Sequence, residues 1–285
     1  MDLKSGCLFI NKPVGLTSRQ VGVIAGKKLL TKKVGHLGTL DPFAEGLLIL
    51  MINNGTKIAP FIEDKVKTYK AFLKLGELTD SGDLTGNVIQ KESVPSLSFD
   101  KINRVLHTFL GKTSQIPPMY SAIKVNGKHL YDMARNGEVI ERKPREIEVF
   151  SIELNSFDNS VIEFTAKVSK GTYIRTLGED IAKALGTVGH LTRLIRLEID
   201  GYSLNNAIDV NDVTLDSLIP ISKVLDFMPT FNVSGPMEKI ALNGGKLFLK
   251  YHDKYVLVIN NDGPIAVYEF KEEGVYSCSR GLRWK

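Results

Sequence analysis

The stretch HLGTLDPFAEGLLILMI, residues 36–52, joins a loop marked by glycine and proline to a continuous apolar run. The run LLILMI at 47–52 is bounded by turn signals, and it predicts a strand buried on both faces, because a half-covered strand would alternate. Asp41 lies in the loop before this strand. The forty residues before it contain one acid, Asp2, and seven cations. Asp41 is therefore an isolated carboxylate in a basic stretch of chain.

Two interpretations of Asp41 follow from its neighbours. An Asp followed by a Pro is a frequent helix start, with the Asp as N-cap and Pro42 at the first helical position. Alternatively, Asp41 is a nucleophile or base on a rigid loop fixed by Gly38, Pro42 and Gly46. The residue types alone leave both interpretations open.

The catalytic interpretation requires a cation, because burial raises the pKa of an aspartate and an acid that attacks must be ionised. Arg175 is one candidate, on the first turn of a predicted helix beside Tyr173. Its alternative partner is Glu179, four residues further along the same helix. If Asp41 is catalytic, we expect it in an apolar cavity with a guanidinium beside it.

The rest of the chain mixes strand and helix patterns without strict βαβ alternation. It predicts an α+β fold with a mixed, mostly antiparallel sheet flanked by helices. A cluster of prolines, glycine and polar residues at 225–235 predicts a boundary between a domain at 1–228 and a small β-rich domain at 229–285. Strands are predicted at 7–10, 47–52, 68–78, 146–154, 161–169 and 191–204, and helices at 17–30, 56–62, 99–111 and 172–186.

Composition narrows the class of protein. With 285 residues, 43% hydrophobic and 24% charged, the chain is typical of a globular protein, and its formal charge of +5 permits a polyanionic partner. Cys7 and Cys278 are the only cysteines, at opposite ends of the chain. The N-terminus does not have the pattern of a signal peptide, and no apolar run approaches a membrane span. We therefore expect a cytoplasmic protein that does not enter membranes.

Common cofactor motifs are missing from the sequence. It contains no G-x-x-x-x-G-K-[ST], no G-x-G-x-x-G after a strand, no H-E-x-x-H and no G-x-S-x-G. The five histidines show no spacing typical of metal ligands. We expect neither a metal nor a cofactor.

Six blocks, in order along residues 12–186, carry a resemblance to a known family. Together they resemble the TruB family, the bacterial tRNA pseudouridine-55 synthases. The combination of G-H-x-G-T-L-D-P-x-A-x-G with K-G-T-Y-I-R-T makes the resemblance specific. The blocks are KPVGLTS (12–18), VGHLGTLDPFAEGLLIL (34–50), NNGTKI (53–58), KTYKAFLKLGELTDSGDLTG (67–86), IPPMYSAIKVNGKHLYDMARNGEVIERKPREI (116–147) and KGTYIRTLGEDIAKALG (170–186).

The resemblance implies an isomerase with three catalytic residues. Asp41 matches the aspartate that attacks the target nucleotide, so that uracil detaches, rotates and rejoins through carbon. Tyr69 matches the tyrosine that stacks on the base and is placed for the final proton removal. Arg175 matches the arginine that pairs with the aspartate. Lys12, with Pro13, matches a motif that braces the floor of the pocket.

Four further residues are implied to bind the substrate. His36 matches a histidine that occupies the space left by the extruded base, and Lys57 matches a lysine near the RNA and the pocket. Tyr173 belongs to the same motif as Arg175, and Leu194 matches an apolar wall of the pocket.

The resemblance also implies a partner, the T-arm stem-loop of tRNA. The segment 121–145 holds six Lys/Arg, and it matches an element that closes over the RNA loop. The C-terminal residues resemble a PUA-type RNA-binding domain. We expect a monomer with no obligatory protein partner. Two alternatives remain open: an RNA-binding folding factor for tRNA with incidental catalysis, and a glycosidase-like hydrolase, which needs a second acid.

Overall fold

A large mixed sheet forms the centre of the molecule, and a computed structural model describes residues 5–62, 66–121, 123–125, 127–135, 138 and 140–283. The helices in chain order are α1 (Ser18–Lys28), α2 (Phe99–His107), α3 (Leu130–Arg135), α4 (Ile174–Ala184), α5 (Ile221–Val224) and α6 (Gly235–Leu242). The strands are β1 (Gly6–Lys12), β2 (Val34–Leu37), β3 (Glu45–Ile52), β4 (Val66–Leu75), β5 (Glu77–Thr79), β6 (Val88–Lys91), β7 (Gly111–Gln115), β8 (Lys124–Val125), β9 (Lys128–His129), β10 (Arg145–Asp158), β11 (Val161–Ser169), β12 (Gly189–Ile199), β13 (Tyr202–Ser203), β14 (Ile208–Asp209), β15 (Ile219–Pro220), β16 (Thr230–Asn232), β17 (Leu247–Phe248), β18 (Tyr255–Asn260), β19 (Gly263–Glu272) and β20 (Val275–Gly281).

The large sheet has the strand order β14-β1-β3-β12-β4-β11-β10-β7. Its pairs are antiparallel except β1–β14 and β3–β12. Strand β3 lies between β1 and β12 and is buried from Gly46 to Ile52, as its apolar run predicts. Strand β4 alternates, with Tyr69, Ala71, Leu73 and Leu75 on the covered face. The predicted α+β fold with a mixed, mostly antiparallel sheet is confirmed.

The helix predicted at 56–62 is wrong. A 3₁₀ helix spans Asn53–Ile58 instead, directly after β3. The physical reason is Pro60, which has no N–H to donate to the carbonyl of Thr56 and therefore ends an α-helical pattern early.

Gly46 makes the contact between β3 and β12 possible. Its φ is +105°, and a Cβ built there would lie 2.4 Å from the carbonyl oxygen of Arg196, its parallel partner on β12. We expect Gly46→Ala to lower the free energy of unfolding by about 2 kcal/mol or more, through backbone strain and this clash. Urea unfolding measures the change. Gly281→Ala, in a strand position with open space around it, is the control, and equal losses in the two variants would contradict the argument.

The second sheet has five strands, all after residue 229, in the order β16-β18-β19-β20-β17. Leu257 and Val267 from this sheet pack into one hydrophobic cluster with Phe9 and Met51 of the large sheet. The ring of Tyr255 lies edge-on to Phe61, with centroids 5.2 Å apart. The two sheets therefore share one hydrophobic core. The division into domains at 1–228 and 229–285 stays a prediction.

Among the helices that the structure describes, none combines the length and the apolar character that crossing a membrane would require.

Candidate active site

Asp41 lies in a turn between β2 and β3. The amide of Ala44 donates to the carbonyl of Asp41 at 3.1 Å, and β3 begins at Glu45. No helix follows Pro42, so the interpretation of Asp41 as a helix N-cap is wrong. The reason is tertiary, because the residues after the turn add a strand to the centre of the sheet.

The loop around Asp41 is held from the end of β1, the turn after it and the first residue of α1. The hydroxyl of Ser18 donates to the carbonyl of Leu40 at 3.1 Å and accepts from its amide at 2.9 Å. The amide of Gly15 donates to the carbonyl of Pro42 at 2.7 Å. Lys12 is fully buried. Its ammonium donates to the carbonyls of Pro13 and Leu16 at 2.8 and 2.7 Å. These bonds fix the backbone on both sides of Asp41.

Arg175 is the cation that the carboxylate needs. Its Nε lies 3.0 Å from Oδ2 of Asp41, and its side chain is only 4% exposed. The ion pair therefore forms with Asp41 rather than with Glu179. Residue spacing allowed either partner, and the pair with Asp41 is the one observed.

The other donors of Arg175 do not reach Asp41. Nη1 donates to the carbonyl of Ser81 at 2.8 Å, and Nη2 donates to that of Tyr120 at 2.6 Å. One guanidinium thus joins the Asp41 loop, the turn at 80–87 and the segment ending at Ser121. Such a fork of donors is specific to arginine.

Asp83 is a site residue that the sequence analysis did not single out. It is 4% exposed, and its Oδ2 lies 3.8 Å from Nη1 of Arg175. Its Oδ1 accepts from the hydroxyl of Ser81 at 3.0 Å and from the amide of Thr85 at 2.9 Å. The sequence signal was the acid-rich turn DSGD at 80–83, which also fits a solvated loop.

Asp41, Arg175 and Asp83 face a cleft of about 640 Å³, within the range usual for small-molecule sites. The cleft takes apolar surface from Leu40, Pro42 and Phe43 of the Asp41 loop. Hydroxyl, carboxylate and amide groups of the turn at 80–87 and of residues 17–19 line the other walls. The cavity expected beside Asp41 is therefore present, with a guanidinium next to the carboxylate, and its lining combines apolar surface with polar side chains.

The surroundings of Asp41 raise its pKa above that of an ordinary aspartate, so its protonated form is favoured. The side chain of Asp41 is 39% exposed, but the surrounding protein still raises its pKa by desolvation, and the charge of Asp83 raises it further. The positive charges of Arg175 and Lys12 lower the pKa, but the net change is upward. If Asp41 acts as a carboxylate, activity is lost as the pH falls through this raised pKa. In a plot of single-turnover rate against pH, we expect the midpoint of the fall on the acid side to lie above 3.8, the ordinary pKa of aspartate. A midpoint at or below that value, with the fold intact by circular dichroism, would contradict this.

His36 is the other predicted site residue that lines the cleft. Its Nε2 lies 3.1 Å from the hydroxyl of Thr39. Burial lowers the pKa of His36, and the charge of Arg196 lowers it further. The ring is therefore biased toward its neutral form.

Tyr69 and Leu194 do not line the cleft. They are 8% and 5% exposed, and they belong to the hydrophobic cluster that also contains Leu40 and Phe43. Both thus lie behind the loop that carries Asp41. Their predicted roles require this cluster to open toward the substrate.

Tyr173 and Lys57 lie outside the cleft lining as well. Tyr173 is the N-cap of α4, and its backbone exchanges two hydrogen bonds with the amide group of Gln115, at 2.8 and 3.1 Å. The ammonium of Lys57 donates to the carbonyl of Arg283 at 3.1 Å, near the end of the second sheet. The structure thus brings Asp41, Arg175 and His36 together at the cleft. Tyr173 lies near enough for the charge of Asp41 to add to the effect of burial, which raises the tyrosine's pKa, whereas Lys57 lies apart from the cleft.

Solved structures share this architecture. The chain matches one from the structure described as "Crystal Structure of a Cbf5-Nop10-Gar1 Complex" with a TM-score of 0.71 and 22% identity, covering 98% of this chain and 85% of that one. A second match, "Structure of H/ACA RNP bound to a substrate RNA containing 2'-deoxyuridine", also has a TM-score of 0.71. It is 19% identical in sequence, and the match covers 98% of this chain and 85% of that one. At these identities the likeness establishes the fold.

Sequence comparison gives the class and then the family. The family model "TruB family pseudouridylate synthase (N terminal domain)" matches residues 27–174, so the class is that of the pseudouridine-forming isomerases. Two relatives named tRNA pseudouridine synthase B are 41% identical, from Oceanobacillus iheyensis (93% of this chain, 92% of that one), and 39% identical, from Oenococcus oeni (98% of each). The chain belongs to the TruB family, and the resemblance found in its sequence is confirmed.

Proposed function

We propose that this enzyme converts uridine 55 in the T-loop of tRNA to pseudouridine, with Asp41 as the nucleophile. The observation that carries the proposal is the ion pair between Asp41 and the buried Arg175 at 3.0 Å, inside the cleft. The names of the relatives, tRNA pseudouridine synthase B, support tRNA as the substrate.

The reaction begins with extrusion of the target base, because a stacked uridine is out of reach of a carboxylate in a cleft. Extrusion costs a few kcal/mol, and stacking on an aromatic ring such as Tyr69 returns about 1–3 kcal/mol. The carboxylate of Asp41 attacks the nucleotide and forms an ester bond to it, the N1–C1′ bond breaks and the uracil turns. C5 then bonds to C1′, and the bond to Asp41 breaks, which returns the free carboxylate. The proton on C5 then leaves to a base, for which Tyr69 is the candidate. N1, which has lost its bond to C1′, takes up one proton, so the proton lost from C5 is balanced and the product is an isomer of the substrate.

Arg175 supports this chemistry by opposing the effect of burial on the pKa of Asp41. His36 stands at the cleft and takes the space from which the base is extruded. Leu194 forms an apolar wall once the cluster opens, and Tyr173 orients the helix start that carries Arg175. Lys57 contacts RNA phosphates near the end of the second sheet, outside the cleft.

Recognition of the RNA extends beyond the cleft. The basic segment at 121–145, parts of which lie outside the described residues, closes over the T-loop. The β-rich unit at 229–285 acts as a PUA-like RNA-binding domain. Phosphate contacts supply affinity that falls with salt, and the shape of the folded loop supplies specificity. The enzyme acts as a monomer in the cytoplasm.

The test is to incubate the purified protein with an unmodified tRNA transcript and map pseudouridine along it. We expect one pseudouridine, at position 55. A transcript with cytidine at that position is the control and is expected to yield none. Absence of product from the uridine transcript, or modification spread over other uridines, would contradict the proposal.

A further inference from the structure

Arg196 is a buried cation behind the catalytic loop, and none of it is exposed. It lies on β12, paired with Gly46 at the end of the loop. Its Nη2 donates to the carbonyl of Gly38 at 2.8 Å, and its Nε donates to the carbonyl of Leu47 at 2.8 Å. One side chain therefore binds the backbone before Asp41 and after it.

This arrangement is costly for a residue that only fills space. Within the described residues no carboxylate forms an ion pair with Arg196, and its Nη1 is buried without a hydrogen-bond partner. A buried charge without a counterion, and a buried donor without an acceptor, both disfavour folding. An apolar side chain of similar length would avoid these costs but would leave the carbonyls of Gly38 and Leu47 without these donors, so the guanidinium is tied to the conformation of the loop.

The charge of Arg196 also reaches the cleft. It lowers the pKa of His36, second only to burial in effect. Arg193 on the same strand offers a contrast. Its side chain is 54% exposed and pairs with Glu45 at 2.6 Å, so it is an ordinary surface ion pair.

We propose that Arg196 is a positioning residue, which holds the loop from Gly38 to Leu47 so that Asp41 meets the target nucleotide in a reactive geometry. The inference rests on the proposed role of Asp41. Anchoring both ends of this ten-residue segment restricts the carboxylate between them. A misplacement of about 1 Å at a reacting group is enough to lower a rate about 100-fold.

The test compares Arg196→Met and Arg196→Lys with the control Arg193→Met. Single-turnover pseudouridine formation and tRNA affinity are measured well below each unfolding midpoint. We expect about a 100-fold lower rate for Arg196→Met, a smaller loss for Arg196→Lys, which keeps the charge but not the fork, and tRNA affinity within about threefold throughout. Arg193→Met is expected to match the unmodified enzyme.

A second readout separates positioning from mere stability. Titration of His36 by NMR is expected to show a pKa below 6.5 in the unmodified protein and Arg193→Met, and a higher one in Arg196→Met. A rate for folded Arg196→Met within about threefold of the unmodified enzyme would overturn the proposal, and so would rate and affinity falling together. If neither Arg196 variant folds, amide hydrogen exchange in the unmodified protein is decisive: exchange of residues 38–47 as fast as that of an exposed loop would overturn the proposal. Failure of the proposed function is distinct, because the unmodified enzyme itself would then form no product.

Discussion

Asp41→Asn is expected to abolish pseudouridine formation, with a single-turnover rate lower by at least about four orders of magnitude. An amide of the same shape cannot serve as the nucleophile, and loss of a nucleophile removes nearly all of the chemical acceleration. The fold is expected to persist, because Arg175 keeps its bonds to the carbonyls of Ser81 and Tyr120. Asp83 also stays 3.8 Å from Nη1 of Arg175, so the buried guanidinium keeps a carboxylate nearby when residue 41 is uncharged.

Binding separates catalysis from the rival interpretation as a tRNA folding factor. We expect Asp41→Asn to bind unmodified tRNA within about threefold of the unmodified enzyme, because the interaction removed is made in the transition state. A cellular role that survives in this variant would support a folding factor whose catalysis is incidental. Product formation within about tenfold of the unmodified rate would remove Asp41 from the mechanism.

Arg175→Lys is expected to lower turnover about 100-fold, with tRNA affinity changed far less. Arginine contacts Asp41 through Nε and two carbonyls through Nη1 and Nη2, and a single ammonium cannot reproduce these three directions. The donors of Arg175 thus divide among three segments of the chain. We therefore also expect a loss of about 1–3 kcal/mol in the free energy of unfolding.

The matched control for this substitution is Arg193→Lys, an exposed arginine whose ion pair with Glu45 contributes less than about 1 kcal/mol. Rates, affinities and urea unfolding are measured for both variants. Equal turnover in Arg175→Lys and the unmodified enzyme would show that a point charge is sufficient. A loss of affinity as large as the loss of turnover would show that Arg175 binds RNA rather than supporting Asp41.

Much of the fold could be predicted from sequence periodicity. The apolar run at 47–52 and the alternation of Tyr69, Ala71, Leu73 and Leu75 indicated how each strand is covered, since burial in a sheet acts directly on side-chain order. Periodicity does not record which strands pair. The parallel contact of β12 with β3, which places Arg196 behind Asp41, depends on residues about 150 positions apart.

The site was predicted least well where burial decides a residue's role. Asp83 belongs to a polar turn in sequence but is buried against Arg175 in the structure. In sequence, Arg196 stands among apolar residues in the way typical of a cation on the solvent-exposed face of a strand, yet its side chain is fully buried. Lys57 sits in a block of the family resemblance, but its ammonium bonds to the carbonyl of Arg283. Local sequence carries the type of each side chain, and tertiary packing determines what that side chain faces.

The most direct test of the account is a crystal structure of Asp41→Asn bound to a T-arm RNA stem-loop with uridine at position 55. We expect this uridine out of the base stack and inside the cleft, with the residue-41 side chain within about 3.5 Å of its ring or of C1′ and Arg175 beside it. A target base still stacked in the RNA loop, or bound away from the cleft with Asp83 and Arg175 unchanged, would contradict it.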